Sequence, residues 1–151
     1  MRIETKRVIS AAHIVDGNTK CAFLHGHNWT VSVSIDNGET DIPNNGFLMD
    51  FNSIKEEIDK LDHRFLVSIE QIKGAGITNY DILAGGRKYS IPAGVCVKIP
   101  IPYTTSEWIC KYLISRFREI LYNSPSINHA EKWKVCVRIE ETENNIAEEC
   151  L

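Results

Sequence analysis

The chain has 151 residues, 43% of them apolar and 25% charged, with a net charge of −3. That is enough for one domain (1–151) with its own core, and it lacks the basic surplus of a dedicated nucleic-acid binder. No run of about 18 apolar residues marks a membrane span, and no charged-then-apolar leader follows Met1. Five cysteines, odd in number and without a C-x-x-C pair, argue against a disulfide framework and for a reducing cytosol.

Residues 2–12 are rich in β-formers and predict a strand leading to His13, after which Asp16-Gly17-Asn18 signals a turn. Cys21-Ala22-Phe23-Leu24-His25-Gly26-His27 then puts a thiol and two imidazoles within seven residues. Beyond it, Trp29, Val31, Val33 and Ile35 alternate with polar residues, the period of a half-buried strand, and His27 shares the apolar parity. Residues 36–46 are turn-rich and predict a hairpin loop before the apolar run 47–51. Ile54, Ile58 and Leu61 recur at helical spacing behind Asp50 or Asn52 as cap, and this helix ends near Leu61-Asp62-His63. The glycine-rich stretch 68–103 reads as an insertion with an added hairpin around 89–97. A second helix is expected over 106–122, striped by Ile109, Leu113, Phe117, Ile120 and Leu121, with Thr104 and Glu107 spaced as a capping box. Trp133, Val135, Val137 and Ile139 alternate in a further strand, and 141–145 turns into a short last one.

This order predicts an α+β fold, a four-stranded antiparallel sheet with two helices on one face. Its open face and two free edges call for oligomerising into a larger closed barrel.

His25 and His27 leave one face of a strand, but a catalytic zinc takes three protein ligands. An antiparallel neighbour would bring His13 alongside them, which makes a three-histidine metal site. Zinc suits that set best, and imidazole also serves iron and nickel. Cys21 reads three ways: a fourth ligand, a small buried hydrophobe, or a thiolate whose proton the dication has made easier to lose. Asp62-His63 is either an acid-backed imidazole or the charged last turn of a helix. Glu107 is explained by the capping box alone. Glu141, at the end of an apolar strand, suits two parallel N–H bonds from a flat amino-heterocycle.

Six motifs then occur in order over nearly the whole chain: Ser10-Ala11-Ala12-His13, Cys21-x-x-x-His25-Gly26-His27, Met49-Asp50-Phe51, Leu61-Asp62-His63, Thr105-Ser106-Glu107 and Glu141-Thr142. Together they resemble the 6-pyruvoyl-tetrahydropterin synthase and 6-carboxytetrahydropterin synthase family. The resemblance implies a tunnelling fold whose subunits join into a trimeric barrel, commonly two trimers stacked, with active sites between subunits. It implies zinc on His13, His25 and His27, Cys21 as the proton-abstracting base, and Asp62 and His63 completing the proton relay. It further implies Glu141 as the pterin anchor, with Thr105, Ser106 and Glu107 lining the same pocket, and 7,8-dihydroneopterin triphosphate as substrate. The short C-x-x-x-H-G-H spacing resembles the microbial carboxytetrahydropterin branch, in which the side chain is also cleaved, releasing acetaldehyde, on the way to queuosine or archaeosine. Two features depart from the family pattern: Val67 stands where an asparagine is usual, and 68–103 is longer than in compact members. Lys20, Arg64, Arg87 and Lys88 are cations open either to the triphosphate or to solvent.

Overall fold

Two twelve-residue strands, β1 (Arg2–His13) and β2 (His25–Asp36), pair antiparallel over their whole length, from Arg2 opposite Asp36 to His13 opposite His25. The structure is a computed structural model and describes residues 1–17, 20–39, 42 and 46–151. Trp29, Val31, Val33 and Ile35 bury one face of this ribbon completely, which is what their alternation requires. Of the turn expected at 16–18, Asn18 lies outside the described residues, as do 40, 41 and 43–45 of the expected hairpin loop. Among the described residues the next element after β2 is a helix.

The helix is α1 (Phe51–Asp59), and Asp50 caps it by accepting the Asn52 N–H at 2.9 Å. Next come β3 (Arg64–Ser68), then β4 (Ile72–Ala75), β5 (Asn79–Ala84) and β6 (Arg87–Pro92), which form a separate three-stranded antiparallel sheet. The chain returns to the main sheet as β7 (Cys96–Ile99), runs through α2 (Ser106–Tyr122) and ends in β8 (Lys134–Thr142) and β9 (Asn145–Cys150).

The main sheet has six strands in the order β7-β3-β1-β2-β8-β9, where the sequence predicts four. It is also mixed and not purely antiparallel, because β3 runs parallel to β1 and β7 parallel to β3. Of the two added strands, β3 buries Phe65, Leu66 and Val67 consecutively and shows no alternation, and β7 has only four residues, too few to show a period. Both helices join one core: Ile54 and Ile58 of α1 and Ile109, Leu113, Phe117 and Leu121 of α2 pack in a single cluster with the buried residues of β2 and β8.

The segment 68–103 is tied into the fold by a second cluster of Ile14, Phe65, Val67, Ile82 and Ala84. Its hairpin turns at Gly85-Gly86, and the stretch 89–97 is divided between β6 and β7, so the hairpin lies earlier than expected. No helix among the described residues is long and apolar enough to cross a membrane.

Cys136 and Cys150 stand opposite one another in the β8–β9 pair, with Cα atoms 4.1 Å apart, and are joined by a disulfide. One such bond, with Cys21, Cys96 and Cys110 free, is no disulfide framework, but it weakens the cysteine argument for a reducing compartment. Spacing along a chain carries no information about register across a hairpin, and register alone decides whether two thiols meet. The bond closes a loop of residues 14 apart. Replacing both cysteines by serine should cost about 2–3 kcal/mol of unfolding free energy in urea. Dithiothreitol should reproduce that loss in the wild type and leave the double variant unchanged; identical wild-type midpoints with and without reductant would show that the hairpin stands without the bond.

Candidate functional site

Three histidines meet where the β1–β2 ribbon ends. The register sets His13 opposite His25 and Ala11 opposite His27, so all three rings share a face. Ring centroids lie 4.5 Å apart for His13 and His25, 5.3 Å for His13 and His27, and 5.0 Å for His25 and His27. Each can offer a ring nitrogen within 4.8 Å of the others. Gly26 between them permits the approach: a Cβ there would stand 2.7 Å from the Ala11 carbonyl oxygen.

The tautomers are set from outside the ribbon. His13 Nδ1 lies 2.7 Å from the Thr104 carbonyl oxygen and His25 Nδ1 lies 2.7 Å from that of Phe23. A carbonyl can only accept, so each Nδ1 carries the proton and each Nε2 keeps its lone pair. Nε2 of His13, His25 and His27 are all buried without a hydrogen-bond partner. The His13 and His25 lone pairs converge with His27 Nε2, which makes no hydrogen bond but faces the Glu141 carboxylate, and three such nitrogens fit a tetrahedral dication that keeps one position open. Burial pushes the His13 imidazolium down to about 4, against the pull of the Thr104 carbonyl, and the neighbouring rings push the same way. Burial also lowers His27, against the attraction of Glu141. Neutral imidazoles are what metal ligation needs.

Beside the histidines lies a cavity of about 460 Å³ whose wall includes His13, Cys21, Thr105, Ser106, Glu107 and Glu141. Cys21 is exposed on a single 3-10 turn, Lys20–Ala22. Glu141 enters through a β-bulge: Glu140 pairs with Ile146 and Thr142 with Asn145, leaving Glu141 as the extra residue on β8. A bulge turns a side chain out of the alternation, and here Glu141 Oε1 comes to 3.0 Å from His27 Nε2 and 3.8 Å from His13 Nε2. Ser106 Oγ is buried at the same wall with no partner.

The capping box is absent. Thr105 is the N-cap of α2 and makes no side-chain cap bond, while the Thr104 hydroxyl donates to the Ile14 carbonyl at 3.1 Å. The helix begins one residue later than the box requires, which leaves Glu107 at the cavity without a capping role.

Asp62 and His63 lie elsewhere. His63 adopts φ 54° and donates its N–H to the Ser10 carbonyl at 2.7 Å, while Asp62 Oδ1 accepts the Ser10 N–H at 2.8 Å. This clamp on β1, above all the Ser10 amide, holds the Asp62 carboxyl below its ordinary range, and Asp62 Oδ2 stands 2.9 Å from His63 Nδ1. The His63 side chain is 82% exposed and lines a second cavity with Ser10, Ala12, His27 and Arg64. Within one chain, Cys21 and His63 therefore open on different cavities. The sequence reading also missed Asn144, Asn145, Ile146 and Ala147, which wall the first cavity from the β8–β9 turn, and the carbonyls of Thr104 and Phe23 that orient the histidines. Asn144-Asn145 was visible only as a turn signal, and a backbone acceptor leaves no mark in a sequence.

The pattern of the family described as 6-pyruvoyl tetrahydropterin synthase matches residues 2–149. A protein of Pyrococcus horikoshii provisionally named 6-carboxy-5,6,7,8-tetrahydropterin synthase is 32% identical over 67% of this chain and 62% of its own length. The chain thus spans less than two thirds of that relative. A Pyrococcus abyssi protein of the same provisional name is 31% identical over 78% of this chain and 74% of its own. Among solved structures, the 6-pyruvoyl tetrahydropterin synthase of Plasmodium falciparum superposes with a TM-score of 0.72 at 24% identity, covering 100% of this chain and 97% of that one, a likeness of fold.

His13 makes the stability of the metal-free chain depend on pH. The folded chain keeps this ring neutral down to about 4, whereas the unfolded chain takes up the proton near 6.5. Below pH 6.5 the unfolded state binds more protons, so stability falls as pH falls toward 4. In His13→Gln the loss of unfolding free energy between pH 7 and pH 4 should be smaller by about 2–3 kcal/mol. Parallel curves for variant and wild type would mean that the folded chain protonates His13 freely.

Proposed function

Because the chain belongs to the 6-pyruvoyl tetrahydropterin synthase family, we propose that it is a zinc-dependent 6-carboxy-5,6,7,8-tetrahydropterin synthase. It would convert 7,8-dihydroneopterin triphosphate to carboxytetrahydropterin, acetaldehyde and triphosphate, on the route to 7-deazapurines such as queuosine or archaeosine. One observation carries this reading: three imidazole nitrogens within 4.8 Å of one another converge beside a cavity walled by Cys21, Ser106, Glu107 and Glu141. The carboxy-forming branch is favoured by the Cys21-x-x-x-His25-Gly26-His27 spacing and by the provisional names of the two Pyrococcus relatives.

His13, His25 and His27 would hold zinc, which when bound supplies a Lewis acid toward the hydroxylated side chain of the substrate. Glu141 is the anchor for the heterocycle. With His27 neutral, its carboxylate is available for two parallel N–H donors of an aminopyrimidine edge. Ser106 Oγ, buried and unpartnered, and the Glu107 carboxylate complete the polar lining of that pocket, with Thr105 beside them. Cys21 takes the proton from a side-chain carbon as the proton-abstracting base.

Asp62 orients His63 through Nδ1 and leaves Nε2 to carry a proton. Since His63 opens on the other cavity, its place in the relay belongs to an assembly in which a second copy brings that cavity against the first, as a trimer or two stacked trimers would.

The test is incubation of the zinc-loaded chain with 7,8-dihydroneopterin triphosphate, identifying the pterin by mass and assaying acetaldehyde in parallel. Carboxytetrahydropterin with acetaldehyde is expected; a pyruvoyl product without acetaldehyde would move the chain to the other branch, and binding without any product would make it a non-catalytic pterin-binding homologue. Cys21→Ala should keep its zinc and lose at least about a hundredfold in kcat. Full activity in that variant would remove Cys21 from the mechanism, and loss of zinc would make it a ligand.

A further inference from the structure

The Cys21 turn is a single 3-10 turn, too short to hold its own orientation. What holds it is the β5–β6 hairpin of the second sheet. Gly85, at the tip, adopts φ 57°, and a Cβ there would stand 2.0 Å from the Ala22 carbonyl oxygen. A side chain at 85 is thus excluded both by the left-handed backbone and by contact.

Asp16 fastens the same tip to the far side of the loop. Its Oδ1 accepts the Gly85 N–H at 2.7 Å, and its Oδ2 accepts from Gln71 Nε2 at 3.2 Å. Gln71 is 2% exposed and also donates to the Ile14 carbonyl at 2.9 Å. Arg87, one residue past the tip, donates to the Gly85 carbonyl at 2.8 Å and sets its guanidinium 4.2 Å from the centre of the Phe23 ring. The Val15 N–H closes the loop on the Cys21 carbonyl at 2.9 Å. Cys21 therefore sits between two anchored points, Asp16 before it and Ala22-Phe23 after it. Phe23 carries the hold onward, because its carbonyl orients His25.

We infer that the β5–β6 hairpin is the positioning element for Cys21, with Asp16, Gly85 and Arg87 keeping the thiol at the cavity wall. This rests on Cys21 being the proton-abstracting group of the proposed reaction. Arg87, one of the cations open to triphosphate in the sequence, is turned instead toward the loop.

The test uses the full zinc-loaded chain with Asp16→Ala, Asp16→Asn and Arg87→Ala, and two readouts: steady-state kinetics, and the rate of Cys21 alkylation by iodoacetamide resolved by peptide mass spectrometry. Asp16→Ala should lower kcat about tenfold while KM stays within about twofold and zinc content is unchanged, the mark of a misplaced group and not of lost binding. Freeing the loop should also raise the Cys21 alkylation rate about fivefold, as expected of a local opening. Arg87→Ala should move both readouts the same way. Asp16→Asn keeps an acceptor for the Gly85 N–H and should recover most of both effects. Wild-type kcat and alkylation in Asp16→Ala and Arg87→Ala would overturn the proposal, as would equal losses in Asp16→Asn and Asp16→Ala accompanied by lost zinc. The alkylation readout needs no turnover. If the wild type forms no pterin product, the functional reading fails, and Cys21 alkylation still decides whether the hairpin holds the loop.

Discussion

The register of the β1–β2 ribbon is the constraint on which the rest of the molecule depends. It alone brings His13 opposite His25 and leaves His27 two residues along on the same face. A slip by one residue would turn the imidazoles of one strand to the other side. Two things resist that slip. Trp29, Val31, Val33 and Ile35 would all leave the core together, and any residue but glycine moved to position 26 would collide with the Ala11 carbonyl. The hydrophobic pattern and the metal-ligand pattern are thus one period-2 pattern, with the ligands at its open end.

The ribbon holds its site at a local cost. The buried Nε2 atoms of His13 and His25, without hydrogen bonds, each forgo about 1–3 kcal/mol of solvation. The rings face one another, with Trp29 stacked on His27 at 6.0 Å, and the Trp29 indole N–H is itself buried without a hydrogen bond. A dication bound there would offset that cost and couple metal occupancy to the stability of the ribbon. The depressed His13 pKa has the same origin. The burial that disfavours the proton keeps the lone pair available at neutral pH.

What could be read from the sequence follows the range of each signal. The strands β2 and β8 and both helices declared themselves because amphipathic periods extend over whole elements, and the three histidines because their spacing is a strand period. The strands β3 and β7 did not, since β3 is buried on both faces and has no alternation and β7, four residues long, is too short to show a period. Thr104 and Glu107 have the spacing of a capping box, yet Thr104 gives its hydroxyl to Ile14, an acceptor ninety residues away in the chain. Glu141 was recognisable as a strand-end carboxylate, but the bulge that aims it depends on how β9 pairs with β8. The same pairing joins Cys136 to Cys150. The cap, the bulge and the disulfide each depend on how one segment pairs with another, which the local pattern of either segment does not encode.

The separation of Cys21 from His63 has a cause in the same ribbon. His63 is a non-glycine residue with a left-handed backbone, a conformation that persists only where its surroundings over-determine it. Ser10 does so by exchanging two backbone bonds, one with the Asp62 carboxylate and one with the His63 amide. Ser10 lies three residues before His13 on β1, and both clamp bonds use its backbone, which faces Asp62 and His63. One rigid strand thus holds both the clamp and the metal ligand His13, so bringing His63 from the cavity it lines with His27 round to Cys21 would mean dissolving the clamp. A reaction that needs both groups at one substrate cannot draw them from the clamp and the first cavity of a single chain as they stand.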